Sequence, residues 1–414
     1  LALVIGLLPA PFGEPAEVLA VEEPTGPTSG TCGDNITWEL TEDTEADWDL
    51  VQGKPYKLTL TGSGEMWNFK YYNANDIPWY EYSSMITSIS IAEGITTVGS
   101  SAFYMCVSLK SITIPDSVTI IGSGAFRYCF QLETVMCGKG LKTIGSEAFY
   151  DNSSLITIQF KDGLETIESN AFLDCRALQD ISLPDSVTNL GGNAFGYAGL
   201  THFTAPKNVI PDTIGMGILS GNRYLQSIQV AEGSPYFAVL DNILYEMKNG
   251  IPYRAIACAY ASLGSEISIA DGTEIINGRA FLSADITSVI LPDTMKSIQE
   301  GAFSHCQGLK EVNIPDSVEN IGRGAFSTCN LLSKVTIGKG LQDYMEYIFG
   351  NCQRLAVITV SEENPYLDAI DNVVYNKEHT HLYFYAPAKP DEEYHILETV
   401  ESLSSESFAN ISNL

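Results

Sequence analysis

The sequence predicts a parallel β-solenoid of stacked coils, each about 23 residues long. Three observations point there. Phe103, Phe126, Phe149, Phe172 and Phe195 follow one another at intervals of 23 residues, and Phe281, Phe303, Phe326 and Phe349 at intervals of 22, 23 and 23. Between them lie short runs in which apolar and polar residues alternate, as in a strand with one buried face. In the coil from Ala102 to Gly124, Leu109, Ile112 and Ile114 are apolar while Ser111 and Thr113 are polar. Finally, Pro115-Asp116-Ser117 stops that strand, because Pro cannot donate to a ladder and Asp and Ser close turns. A unit this short cannot close a core alone. Stacked copies can, lying beside one another at the inter-strand spacing of roughly 5 Å and forming one long parallel sheet over a continuous interior. Burial of each Phe contributes about 1.5–3 kcal/mol.

The elements follow in chain order. Residues 1–20 read as the tail of a secretory signal: a short apolar run, Leu1 to Leu8, a Pro-rich break, then Val18-Leu19-Ala20 at the cleavage position. Residues 21–29 are a linker. Residues 30–84 hold all four tryptophans and strand-like runs at Ile36 to Leu40 and Tyr56 to Thr61, outside the 23-residue period. A β-rich N-terminal cap is expected there, since a bare first coil leaves an unpaired edge and an open core; a small ligand-binding module is the other reading. Residues 85–414 form the solenoid. Its last residues, SFANISNL, open a further coil, so a C-terminal cap or anchor is expected beyond them.

Two departures from the period match each other. Leu219 to Phe281 spans 62 residues and Phe349 to Phe408 spans 59. Inside lie SPYFAVLDNILYEMKNG, from Ser234, and NPYLDAIDNVVYNKEHT, from Asn364, at a constant offset of 130. Alternation on either side of a turn rich in Lys, Asn and Gly predicts a β-hairpin projecting from the stack in each, near 231–266 and 361–396.

The repeated block Ile-Pro-x-x-Val-x-x-Ile-Gly-x-x-Ala-Phe resembles the BspA-type leucine-rich repeat of bacterial surface proteins, in its 23-residue subclass, over roughly residues 85 to 414. The resemblance implies a leucine-rich-repeat solenoid of the horseshoe class. In it the parallel sheet is concave, and short strands, turns and 3-10 or short helical segments line the convex side. It also implies adhesion to host matrix proteins, on the surface of a bacterium or secreted from it.

Composition narrows function. A net charge of −29 and a pI near 4.3 exclude nucleic acid and anionic lipid as expected partners. No stretch is long and apolar enough to span a membrane. Six of nine cysteines, Cys106, Cys129, Cys175, Cys306, Cys329 and Cys352, stand three residues after the repeat Phe, where other coils place Asn152, Ala198, Asn222 or Ala284. One Cys per coil lacks metal-ligand spacing, so packed thiols filling a small position are expected, with a disulfide as the alternative. His305 beside Cys306 lacks the geometry of a nucleophile–base pair, and His379-Thr380-His381 reads as a solvated turn or a weak metal site. Asp116, Asp185, Asp293 and Asp316 recur in the Pro-Asp turn and are expected to bond their own backbone, with diffuse cation binding as the other reading. No catalytic motif, cofactor site or metal site is expected.

The remaining surface is the outward side of the strands. Its candidate binding residues are Ser111, Thr113, Thr134, Met136, Thr157, Gln159, Asp180, Ser182, His202, Thr204 and Gln229. Of the 22 outward positions in eleven coils, twelve are Ser or Thr and only Asp180, Glu311 and Lys334 are charged, so the face is nearly neutral in a very acidic chain. Two readings stand: Thr is a good exposed strand residue, or a hydroxyl-rich sheet is a platform for protein or glycan. The functions expected are a monomeric, non-catalytic surface protein binding an extracellular protein or glycan, or a structural spacer carrying an enzyme or anchor encoded elsewhere.

Overall fold

The computed structural model describes residues 24–46, 53–71, 76–342, 347–390 and 393–411. The expected leader, residues 1–20, lies outside them. The chain is a β-solenoid of about thirteen turns with very little helix.

Most regular coils contribute two strands, so the stack carries two parallel ladders where one long sheet was expected. The first ladder holds the alternating strands. Ser111–Thr113, Thr134–Met136 and Thr157–Gln159 pair in parallel, as do His202–Ala205 with Ser227–Val230 and Glu311–Ile314 with Lys334–Ile337 and Val357–Val360. The second ladder uses the β-branched run after the Pro-Asp turn: Ile95–Val98, Ile120–Ile121, Thr143–Ile144, Thr166–Ile167 and Asn189–Leu190. Both ladders run in segments: in the first, the coil around Ile181 forms no strand and Ser288–Ile290 is not paired with Glu311–Ile314, while the third strand of the first insertion joins the second ladder.

Between the ladders the Phe side chains form a spine. Phe103, Phe126, Phe149, Phe172 and Phe195 are fully buried, with successive ring centroids 5.1, 5.2, 5.3 and 5.5 Å apart. Phe281, Phe303, Phe326 and Phe349 repeat the stack at 5.0, 5.2 and 5.8 Å. Such contacts add about 0.5–1.5 kcal/mol each beyond burial. The cap supplies the first rung. Trp79 is fully buried, lies 6.0 Å from Phe103 and donates its indole N–H to the Ala102 carbonyl at 2.8 Å.

The Cys position has a second role besides filling space. All nine cysteines are free and buried. Cys129 Sγ donates to the Phe103 carbonyl at 3.2 Å, Cys175 to Phe149 at 3.1 Å, Cys306 to Phe281 at 3.2 Å, Cys329 to Phe303 at 3.3 Å and Cys352 to Phe326 at 3.1 Å. Asn152 and Asn222 make the same bond through Nδ2, to Phe126 at 2.9 Å and Phe195 at 2.7 Å. Seven coils are thereby tied to their predecessors through the carbonyl of the Phe. Burial pushes the Cys106 and Cys175 thiols well up and the Cys129 and Cys306 thiols up to about 12, which keeps them protonated.

The Pro-Asp-Ser turn also links coils, in place of the local Asx turn expected of it. Asp116 Oδ1 accepts the Lys139 amide at 2.9 Å, Asp185 that of Lys207 at 3.2 Å and Asp316 that of Lys339 at 3.0 Å. The neighbouring Ser117 donates backwards to the Ile95 carbonyl at 2.7 Å, as Ser186 does to Leu164. At 116–117 and 185–186, Asp thus holds the coil after it and Ser the coil before it.

The cap is a three-stranded antiparallel meander, Ser29–Gly33, Ile36–Glu42 and Tyr56–Gly62. Its third strand pairs in parallel with Ile86–Ile91, while Gly64–Glu65 begins the second ladder beside Ile95–Val98. The first insertion has the same plan, Phe237–Leu240, Ile243–Lys248 and Ile251–Cys258, with the third strand pairing in parallel with Ile275–Ile276. The hairpins form as expected but do not project: Leu244, Tyr245, Ile256 and Cys258 are buried in the common core. The second insertion, Leu367–Ile370, Val373–Asn376 and His381–Tyr385, ends beside Ser402–Leu403. Each first turn is an Asp-Asn pair with positive φ at both residues, 49° and 63° at Asp241 and Asn242 and 50° and 62° at Asp371 and Asn372. That is the primed turn whose twist suits a two-residue hairpin.

Candidate binding face and its N-terminal bay

The outward residues of the first ladder stand where the alternation places them. Ile112, Val135 and Ile158 point into the core, and Ser111, Thr113, Thr134, Met136, Thr157 and Gln159 on either side are exposed or half-buried. Parallel register aligns them in rows: Ser111 with Thr134 and Thr157, Thr113 with Met136 and Gln159. Asp180 and Ser182 are exposed around buried Ile181 but stand outside any assigned strand. His202, Thr204 and Gln229 are exposed, His202 paired with Ser227 and Thr204 with Gln229, and His202 Nδ1 lies 2.8 Å from Ser227 Oγ.

At its N-terminal end this face runs into a bay of about 780 Å³. One wall is the chain following the second cap strand, Glu42 to Ala46; the floor is Thr87 to Ile91; Lys110, Thr113 and Gln131 of the next coils close the far side. Asp43 is the buried anchor of that wall, 8% exposed. Its Oδ2 accepts from Thr87 Oγ1 and Ser88 Oγ, each at 2.7 Å, and its Oδ1 from the Glu45 amide at 3.3 Å. Burial raises the Asp43 carboxyl; the bonds from Ser88, Thr87 and the Glu45 amide, with the Lys57 charge, outweigh it and hold the group below its ordinary value. The bay is the part of the face that sequence reasoning missed. Its wall comes from the cap and its floor from the first coil, and Asp43 is one of several acids in the run from Glu42 to Asp47, with nothing in the sequence to mark it as the partner of Thr87 and Ser88.

The histidines separate. His379 Nε2 bonds Asp368 Oδ2 at 2.8 Å, whereas His381 bonds Ser402 Oγ at 2.6 Å and Ser404 Oγ at 3.0 Å, so the two rings serve different partners. His305 Nδ1 lies 2.8 Å from Ser304 Oγ, which lies 2.8 Å from Ser327 Oγ of the next coil; Cys306 turns inward to Phe281. Among the described residues no three His, Cys, Asp or Glu side chains are grouped to hold a metal ion, and no helix is long and apolar enough to cross a membrane.

Comparison with solved structures places the fold among leucine-rich-repeat proteins. A leucine-rich repeat protein from Eubacterium ventriosum superposes with a TM-score of 0.65 at 18% identity, over 93% of this chain and 96% of that one. A leucine rich cell surface protein from Faecalibacterium prausnitzii gives a TM-score of 0.48 at 22% identity, over 81% and 95% of the two chains. The pneumococcal vaccine antigen PcpA gives 0.49 at 19% identity, over 92% and 95%. Among curated proteins the sequence finds no match. The BspA type leucine rich repeat region matches in six copies, over residues 77–201, 143–238 and 274–414. The coil that the Phe spacing defines, with its paired ladders and Phe spine, is the repeat of that family, and the chain belongs to the BspA-type leucine-rich-repeat proteins.

Proposed function

We propose that this solenoid is a non-catalytic binding module, secreted or displayed at a bacterial surface, that engages an extracellular protein or glycan through its first-ladder face. One observation carries the reading. In a chain of net charge −29 the outward rows of this face are aligned, hydroxyl-rich and nearly neutral, and they lead into a walled bay at the cap. Hydroxyls and amides offer hydrogen bonds without the desolvation cost of charge. A long face assembled from many shallow rows suits a macromolecule better than a small ligand, whose sites are concave and mostly apolar.

The test replaces Thr134, Thr157 and Ser182 by Glu or Arg, all three exposed or half-buried. Capture of a partner identified on protein and glycan arrays is expected to be lost while the unfolding curve is unchanged. Undiminished capture by the triple variant overturns the assignment to this face and favours a spacer role for the coils.

A further inference from the structure

We infer that the Phe-turn side of the solenoid, away from the first-ladder face, carries a second binding site that accepts an acidic glycan. The observation is where the arginines stand. Five of the seven arginines, Arg127, Arg176, Arg223, Arg279 and Arg323, fall within a few residues of a repeat Phe or its Leu219 equivalent, so stacking gathers them on one side of an otherwise acidic molecule.

The insertion sets two distant Phe turns in contact and leaves Arg279 beside the junction. The Phe turn at 217–222 packs directly on the one at 279–284, with no Phe turn from the 62-residue interval between them: a Cβ on Gly217 would lie 3.2 Å from Arg279 Cβ, and one on Gly278 would meet Met216 Sδ. Beside this junction opens a groove of about 570 Å³, within the usual range for ligand pockets. Arg279, Arg323 and His305 line it with the hydroxyls of Ser304 and Ser327 and the ring of Tyr347; among the described residues Glu300 is the only acid on its walls. Arg279 is weakly engaged, its Nη1 3.4 Å from Asn193 Oδ1 and its Nη2 3.8 Å from Glu300 Oε1. The Arg323 guanidinium lies 4.6 Å from the centroid of the Tyr347 ring, which holds its planar fork in place.

Two guanidinium forks match carboxylate or sulfate groups bidentately. The Ser327–Ser304–His305 chain, with both steps at 2.8 Å, supplies further polar partners for sugar hydroxyls. Exposed Tyr347 and Tyr197, 39% and 40% accessible, offer ring faces at the rim. The lining residues lie in turns, with no strand edge for a peptide backbone to join. That favours a glycan over an acidic polypeptide. At physiological salt the Debye length is about 8 Å, so remote acids are screened while pairs in contact persist.

The test measures binding of the whole chain to polygalacturonate, to dextran sulfate and to neutral dextran at about 0.15 M salt. Binding to at least one polyanion is expected, none to dextran, and the two arms tell carboxylate from sulfate. The Arg279→Gln/Arg323→Gln variant should weaken binding at least tenfold, with an unchanged unfolding curve. Lys161→Ala/Lys310→Ala, which removes the same charge elsewhere, should not. Arg279→Lys/Arg323→Lys, which keeps the charge and the fold but not the fork, should fall between. Binding to neither polyanion, an equal loss in the Lys variant, or equally tight binding of polyglutamate overturns the proposal.

Discussion

At the scale of single residues, the recurring Cys is a hydrogen-bond donor on a small side chain. Asn replaces it where Asn reaches the same carbonyl, as at Asn152 and Asn222. Cys129→Ala is therefore expected to cost about 1 kcal/mol, from the unmade bond to Phe103 and the small space left. Cys129→Asn should recover most of that and Cys129→Val none; equal losses for Asn and Val in urea unfolding would remove the donor from the explanation. A pH dependence follows as well. The Cys32, Cys129, Cys137 and Cys306 thiols are pushed up to about 12 by burial, above an ordinary value of 9.0. The unfolded chain then releases these protons first, so their contribution is complete below pH 9 and is lost as pH rises toward 12, at about 1.4 kcal/mol per pH unit per thiol. The urea midpoint should fall between pH 9 and 11, and less steeply in Cys129→Asn, which has one buried thiol fewer. The sequence showed that Cys, Asn and Ala share this position. It did not show the donor role, because the acceptor is a backbone atom of another coil, 26 residues back for Cys129.

At the scale of elements, one device recurs three times: an antiparallel meander whose third strand turns into a parallel ladder. Alternation made its strands legible, and the Lys-Asn-Gly turn marked the hairpin at 248–250. The Asp-Asn turn before it went unread, although both its residues take positive φ. Asn242 further donates to the Ser262 carbonyl at 2.8 Å. Asn242→Val is expected to destabilise by about 2 kcal/mol, since a β-branched residue in the left-handed region is strained and cannot make that bond. Asn242→Gly should cost about 1 kcal/mol at most; the reverse order in chemical unfolding would show that the turn does not set the meander. The spacing of 62 also misled in one respect. It suggested one regular coil plus a projecting insert, whereas the inserted strands supply the coil themselves, a substitution that residue counting cannot distinguish from an addition.

At the scale of the whole molecule, each coil touches mainly its neighbours, so stability is a sum along the stack and the ends decide where it opens. The cap was legible as an exception to the period and as a concentration of tryptophan. Its specific job was not, because Trp79 precedes Phe103 by 24 residues and looks like no repeat Phe. In the structure it is the first rung of the spine, held between Trp38, 5.4 Å away, and Phe103. Trp79→Ala removes a fully buried indole and its bond to Ala102, a loss of about 3–5 kcal/mol. With nearest-neighbour coupling that loss should stay near the cap. Hydrogen exchange is expected to accelerate over residues 77–125, to be little changed over the Phe281 to Phe349 coils, and to leave a single late unfolding step for the distal stack. Uniform acceleration along the chain would mean that the solenoid unfolds as one cooperative unit, in which case the cap stabilises the far coils as much as the near ones.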